Sequence, residues 1–227
     1  MIKIKFTLCL YVLLFCTWES SGQHVVKPTL DAKILEAFNR TFSIAADDDG
    51  KALLRIEGQP NPGVVWIKDL VFESGTIEFD VRGKDVFQKS FVGIAFHGVN
   101  DTTYQALYFR PFNFQANDPV RKKHAVQYIA VPENDWPYLR ETFPDKYEAP
   151  MHAGIDPNDW FHVKIIVKGR IIETYINRER DPILSVQSLH PQSIGRVGFW
   201  TGHESDGDFA NLEVIPLDQG NAHVGGK

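Results

Sequence analysis

The sequence predicts an all-β sandwich of antiparallel strands, and three observations predict it. Runs with period-two alternation, rich in Val, Ile, Phe and Tyr, dominate after residue 50. These runs are short, numerous and bounded by Gly, Asn, Asp and Pro, whereas helical patterns are few. A length of about 200 residues after the first segment suffices to bury one sandwich-sized core, and no linker divides it.

The first residues read as an address. Lys3 and Lys5 give a basic start, Phe6 to Phe15 is apolar, and Ser20-Ser21-Gly22 supplies small residues for cleavage. A membrane anchor needs about 18 consecutive apolar residues, and Thr17, Glu19 and Ser20 interrupt this run. The expectation is a secretory signal over 1–23, a sandwich domain over 24–217 and a frayed Gly-rich tail over 218–227, in a protein exported to the periplasm or medium without membrane insertion. Lipidation at Cys16 is disfavoured by the bulky Phe15 before it. Cys9 and Cys16, the two cysteines, both lie in the signal, so no disulfide is expected in the mature chain. Cleavage removes two of 24 basic and one of 29 acidic residues, leaving a net charge of −6. That balance argues against nucleic acid as a partner. It says nothing of oligomeric state.

The strands expected in order are Ala52–Glu57, Thr76–Arg82, Ser90–His97, Thr103–Arg110, Lys123–Val131, Trp160–Lys168, Ile171–Asn177, Gly195–Thr201 and Asp208–Ile215. Helix is expected peripherally, over Asp31–Asn39 and over Trp136–Phe143, where Pro137 suits a first turn. Between Pro132 and Asp159 five prolines break the strand rhythm while Trp136, Tyr138, Phe143 and Tyr147 accumulate. Such a segment either covers a site or packs its own aromatic cluster.

Alternation splits each strand into a core row and an outward row. Val92, Ile94 and Phe96 face inward, with Phe91, Gly93, Ala95 and His97 opposite; the small residues there would leave room for a ligand. Leu107 and Phe109 face inward, with Tyr104, Ala106, Tyr108 and Arg110 opposite. Ala125, Gln127, Ile129 and Val131 are assigned inward, with His124, Val126 and Tyr128 outward. Phe161, Val163, Ile165 and Val167 form an inward row that leaves Trp160, His162 and Lys164 outward, and Val197 and Phe199 leave Arg196, Gly198 and Trp200 outward. A plain solvent face would be dominated by Lys, Glu, Thr and Ser. Tyr, His, Arg and Trp instead stack on sugar rings and bond hydroxyls or carboxylates. The positive island Arg110, Arg121, Lys122, Lys123 and His124 suits an anionic ligand, or else merely solubilises a loop.

Other chemistries find little support. Asp47-Asp48-Asp49-Gly50 does not alternate as a calcium loop does, so it reads as a turn, although structural calcium there or at Asp206 and Asp208 stays open. No other cofactor is expected. The eight histidines lack zinc-hydrolase spacing, and no nucleophile elbow, phosphate loop or dinucleotide fingerprint occurs. Glu78-Phe79-Asp80-Val81-Arg82-Gly83 begins like a β-glucanase signature but has Arg82 and Gly83 where the second acid belongs. The two-carboxylate mechanism would lack its acid/base, so Glu78 and Asp80 read as an outward polar row.

Gly75–Val81, Phe91–His97, Tyr108-Phe109-Arg110-Pro111, Gly195–Trp200 and Gly207–Leu212 together resemble secreted concanavalin A-like lectin/glucanase domains of bacterial polysaccharide utilisation, near those called family 16 glycoside hydrolase-like or 3-keto-disaccharide hydrolase. The resemblance covers about residues 40–216 and implies a jelly-roll β-sandwich acting on carbohydrate. That superfamily holds hydrolases, lyases and binding modules, so it leaves the reaction open. One expectation is elimination (lyase or dehydratase) at an acidic, uronate-containing or sulfated, oligo- or polysaccharide. His97 or His124 would be base, Tyr108 proton donor and Arg110 carboxylate neutraliser, with Tyr104, Lys123, Tyr128, Trp136, His162, Lys164 and Trp200 binding substrate. The other expectation is a glycan-binding module without turnover, and a third is a hydrolase using Glu204 or Asp206 near Trp200.

Overall fold

A computed structural model describes residues 25–47 and 50–217. The expected signal, the expected tail, and Asp48 and Asp49 of the acidic run lie outside the described residues. The strands are β1 (Leu35–Phe38), β2 (Thr41–Ala46), β3 (Ala52–Glu57), β4 (Gly63–Phe72), β5 (Gly75–Arg82), β6 (Val92–Asn100), β7 (Thr103–Phe109), β8 (Val126–Val131), β9 (Glu148–Ala149), β10 (Phe161–Lys168), β11 (Ile171–Ile176), β12 (Leu184–Gln187), β13 (Gly195–Thr201) and β14 (Gly207–Pro216). Two short helices, α1 (Pro119–Lys123) and α2 (Trp136–Thr142), interrupt them.

Two seven-stranded antiparallel sheets result. The first runs β1-β4-β13-β6-β7-β8-β9 and the second β12-β11-β10-β5-β14-β3-β2. The expected jelly-roll sandwich is therefore the fold. Where the pattern alternates cleanly the sheets follow it: β5 and β10 bury every other residue, and Ile77, Phe79, Val81, Val163, Ile165 and Val167 are fully buried. Phe199 meets Phe209 and Phe109 meets Phe161, each pair at 5.0 Å between ring centres, and so the two sheets lock together. Three of the four edge strands (β1, β9 and β12) have four residues or fewer.

Four expectations need correction. Asp31–Asn39 is no helix: a 3-10 turn at Ala32–Ile34 leads into β1, because pairing with Ile67, Trp66, Val65 and Val64 claims Leu35–Phe38 for the sheet. The strand expected from Lys123 starts only at Val126. Asp118 caps α1 by accepting the Val120 N–H at 2.8 Å, and Pro119 opens it, which draws Arg121, Lys122 and Lys123 into a helical turn. On β8 the faces are inverted. Tyr104 pairs with Val131, Ala106 with Ile129 and Tyr108 with Gln127, so Ile129 and Val131 share the open face. Tyr128 stands opposite Leu107 in the core, fully buried.

His97 is the fourth correction. Simple alternation puts it outward, but β6 carries a bulge: its pairing shifts after Phe96, and His97 has φ +51. The extra residue turns the imidazole inward. Nε2–H donates to the Glu73 carbonyl at 2.8 Å, Gln105 Nε2 donates to Nδ1 at 2.8 Å, and the ring stacks on Phe72. Gln105 Oε1 in turn accepts from the Tyr128 hydroxyl and Ser188 Oγ, while Tyr128 accepts the Leu189 N–H. His97 and Tyr128 thus belong to a buried network that ties the strand-poor segment after β12 to the first sheet.

Burial lowers the His97 pKa to about 4, more than the Glu73 carbonyl raises it. The unfolded imidazole takes its proton near 6.5, so between these values the unfolded chain binds more protons. This contribution is whole above about pH 6.5 and is lost as pH falls toward about 4, up to about 3 kcal/mol. Urea unfolding at about pH 7 and about pH 4.5 should show that loss, and a His97→Asn variant, less stable overall, should show a shallower pH dependence.

Candidate functional site

The open face of the first sheet holds a cavity of about 470 Å³. Its floor is aromatic. Tyr108 and Trp200 lie opposite Gly93 on flanking strands, their rings 4.6 Å apart, and Trp200 Nε1 donates to the Tyr104 hydroxyl at 3.0 Å. The small residues of this face make room for the protein's own packing, Gly93 for Tyr108 and Gly198 for Val64 and Trp66, rather than for a ligand. A methyl on Gly93 would stand 2.1 Å from the Leu107 carbonyl and 2.7 Å from Tyr108 Cβ, and one on Gly198 2.8 Å from Trp66. Phe91 and Phe112 extend the floor toward Phe87.

One wall comes from the proline-rich segment, which does both things expected of it. Phe143 packs on Tyr138 and Tyr147 in a cluster of its own, while Trp136 reaches the cavity. Asp135 caps α2 by accepting the Trp136 N–H at 2.7 Å, and Leu139 anchors the helix in the core. One turn on from Trp136, Arg140 lies 4.9 Å from its ring and pairs with buried Glu148 at 2.9 Å. The opposite rim is Pro62, Gly202 and His203. Arg40 ties it together from behind, donating to the carbonyls of Asn39, Asn61, Thr201 and Gly202. Burial lowers its pKa to about 10.

Arg110 stands at the back. It is 5% exposed and donates to the Tyr108 hydroxyl at 2.7 Å, the His124 carbonyl at 2.9 Å and, more weakly, Gln127 Oε1. Among the described residues no carboxylate pairs with it. Burial lowers its pKa and raises that of Tyr108 to about 12, which keeps the phenol protonated. His124 follows α1, and its Nδ1 lies 2.7 Å from Glu148 Oε2, close as an ion pair but without the alignment of a hydrogen bond. Burial lowers the His124 pKa, and Glu148 acts against that.

Of the residues expected at a site, Tyr104, Tyr108, Arg110, His124, Trp136 and Trp200 line this cavity, and Arg121 joins them. His97 and Tyr128 lie in the core. Lys123 points to solvent and pairs with Asp145 at 3.0 Å. His162 and Lys164 belong to the second sheet, whose outward row is separate from this face: His162 bonds Asp80 at 2.7 Å and Lys164 pairs with Glu78 at 3.3 Å. Arg196 lies over Trp66 and pairs with Asp101. Asp206 and Asp208 are held by Lys84 and by Arg55 with Arg82, and Glu204 pairs with Lys89. Among the described residues no group of three or more His, Cys, Asp or Glu side chains is placed to hold a metal ion.

Sequence reasoning missed Phe87, Phe112, Asn113, Asp135 and Arg140 as lining residues. Arg140 was accessible in principle, since Trp136 and Arg140 share one helical face. The others sit on a turn (Phe87), a 3-10 turn at Pro111–Asn113 (Phe112 and Asn113) and a helix cap (Asp135), segments too short for a periodicity that assigns a direction.

Compared with known proteins by sequence, the chain matches no protein family and no curated protein. Compared by structure, it is similar to the carbohydrate-binding module CBM66 from Bacillus subtilis (14% identity, 79% of this chain and 94% of that one, TM-score 0.57). It is similar also to a β-glucanase from Bacillus licheniformis (12%, 88% and 100%, TM-score 0.52). The exoplasmic/lumenal domain of VIP36 in a Ca2+/Man3GlcNAc-bound form is a third such structure (9%, 86% and 88%, TM-score 0.52). At these identities the likeness is one of fold, and it agrees with the concanavalin A-like resemblance read from the sequence.

Glu148 is the shared counter-ion of Arg140 and His124. In Glu148→Gln the His124 pKa should fall further, since the charge that raises it is gone; a proton NMR titration of the imidazole reads this directly, and an unchanged value would exclude the coupling.

Proposed function

We propose that the cavity is a carbohydrate site, on an exported protein, that receives an acidic oligo- or polysaccharide. The single observation that carries this is Arg110, a buried guanidinium without a carboxylate partner among the described residues, set behind a floor of Tyr108, Trp200 and Phe91. Aromatic faces suit the apolar faces of sugar rings, and a buried cation gains most from a ligand anion that offsets its lost hydration. The structures similar in fold include proteins whose names state carbohydrate binding or a bound Man3GlcNAc, which supports the reading. Export rests on the expected signal over 1–23.

Hydrolysis by a carboxylate pair has less support. Asp135 is the one carboxylate among the described lining residues, and Glu204 and Asp206 are paired with lysines outside the cavity.

Elimination is the second reading, favoured by His124 and Tyr108 lining one cavity. Neutral His124 would take the proton next to the uronate carboxylate, whose charge Arg110 offsets. The electron pair left behind forms the new C=C bond as the neighbouring C–O bond breaks, and Tyr108 protonates the departing oxygen. Glu148 would then stabilise the imidazolium and Arg110 the phenolate.

Two measurements test these readings. Trp136 is 42% exposed, so Trp136→Ala should leave the melting temperature nearly unchanged while weakening binding of uronate oligosaccharides about tenfold or more in calorimetric titration. Equal affinity would remove the cavity from the site. Incubation with such oligosaccharides separates turnover from binding: growth of unsaturated-uronate absorbance that Tyr108→Phe abolishes supports elimination, and tight binding with a flat trace supports a binding module.

A further inference from the structure

Asp135 lines the same cavity as Arg110, Arg121 and Arg140, yet it pairs with none of them. Its Oδ1 accepts the Trp136 N–H at 2.7 Å. Among the described residues no cation lies within ion-pair distance of its carboxylate. Arg140 turns instead to Glu148, and Arg121 to the Phe112 carbonyl and Asn113. Arg110 likewise meets only neutral acceptors, namely Tyr108, Gln127 and the His124 carbonyl. A positive and a negative group thus face one cavity without forming an ion pair. Burial dominates the pKa of Arg110, lowering it, and of Tyr104 and Tyr108, raising them, and the Asp135 charge is close enough to add a smaller upward push on all three.

This arrangement restricts what fits. A neutral polyol would leave Arg110 uncompensated. A densely charged anion would set a second negative group against Asp135, and like charges in a partly dry cavity repel strongly. A ring bearing one carboxylate and unmodified hydroxyls satisfies both ends, because an ionised carboxylate such as Asp135 only accepts hydrogen bonds and a hydroxyl donates one. We propose that Asp135 is the specificity-determining residue of the cavity, accepting a ring hydroxyl of the sugar whose carboxylate rests on Arg110, so that the site selects unsulfated uronates over sulfated glycans. The inference rests on the carbohydrate reading and narrows its ligand class.

The test is a calorimetric titration of the intact protein with an unsulfated uronate oligosaccharide and with its sulfated counterpart. Wild-type protein prefers the unsulfated probe. Asp135→Asn keeps the side-chain oxygen that caps α2 but removes the charge; it should bind the unsulfated probe about tenfold more weakly and lose much of the preference, with the sulfated probe gaining. Asp135→Ser, which also caps a helix, should shift affinities the same way and guards against a folding defect in the first variant. Unchanged affinities for both probes in a folded variant, or a wild-type preference for the sulfated probe, overturn this inference alone. A wild-type protein that binds neither probe overturns the carbohydrate reading together with it.

Discussion

A guanidinium buried at the end of β7 organises one side of this molecule. Arg110 bonds the phenol of its own strand, the carbonyl where α1 ends and the amide side chain of β8, so three stretches of chain converge on one charge. Desolvating such a group costs several kcal/mol unless its donors are satisfied. Here they meet neutral oxygens, which satisfy hydrogen bonding but leave the charge. The aromatic floor, the end of α1 at His124, and Glu148, which pairs with Arg140 and acts on Arg110 only at a distance, all surround that charge.

The cavity is built rather than induced. Arg40 binds four carbonyls from three connections, β1–β2, β3–β4 and β13–β14, and Asn61 N–H donates to His203 Nδ1 at 3.0 Å, so one rim is fixed by a second buried cation. The other rim is fixed by Leu139 in the core and by the Arg140–Glu148 pair. Walls held in this way lose little freedom when a ligand enters, and this favours affinity.

Much of the fold was legible because sandwich strands advertise themselves by alternation, as β5 and β10 do with a buried residue at every second position. β4 escaped because Gly63–Ile67 is buried on both faces and shows no alternation. β12 and β9 escaped because four and two residues are too short to show a period. The site was half legible. Tyr104, Tyr108 and Arg110 follow from one strand whose alternation is unbroken, whereas His97 failed at a bulge and Tyr128 at a strand entered from a helical turn. A one-residue slip exchanges the faces of everything after it. His162 and Lys164 were rightly outward, but direction along a strand does not tell which of two sheets the strand joins. Asp135 depended on how α2 docks, and docking is tertiary information, whereas Arg140 follows one turn after Trp136 on the same helical face.

The short edges of the sandwich have a consequence for how these molecules meet one another. Unpaired backbone along a sheet margin is a template on which a second chain can add itself as a further strand. β9 offers two residues of such margin, and β1 and β12 four each. Strand addition from a second chain therefore finds at most four residues to pair with at three of the four margins of the described sandwich, and six at β2.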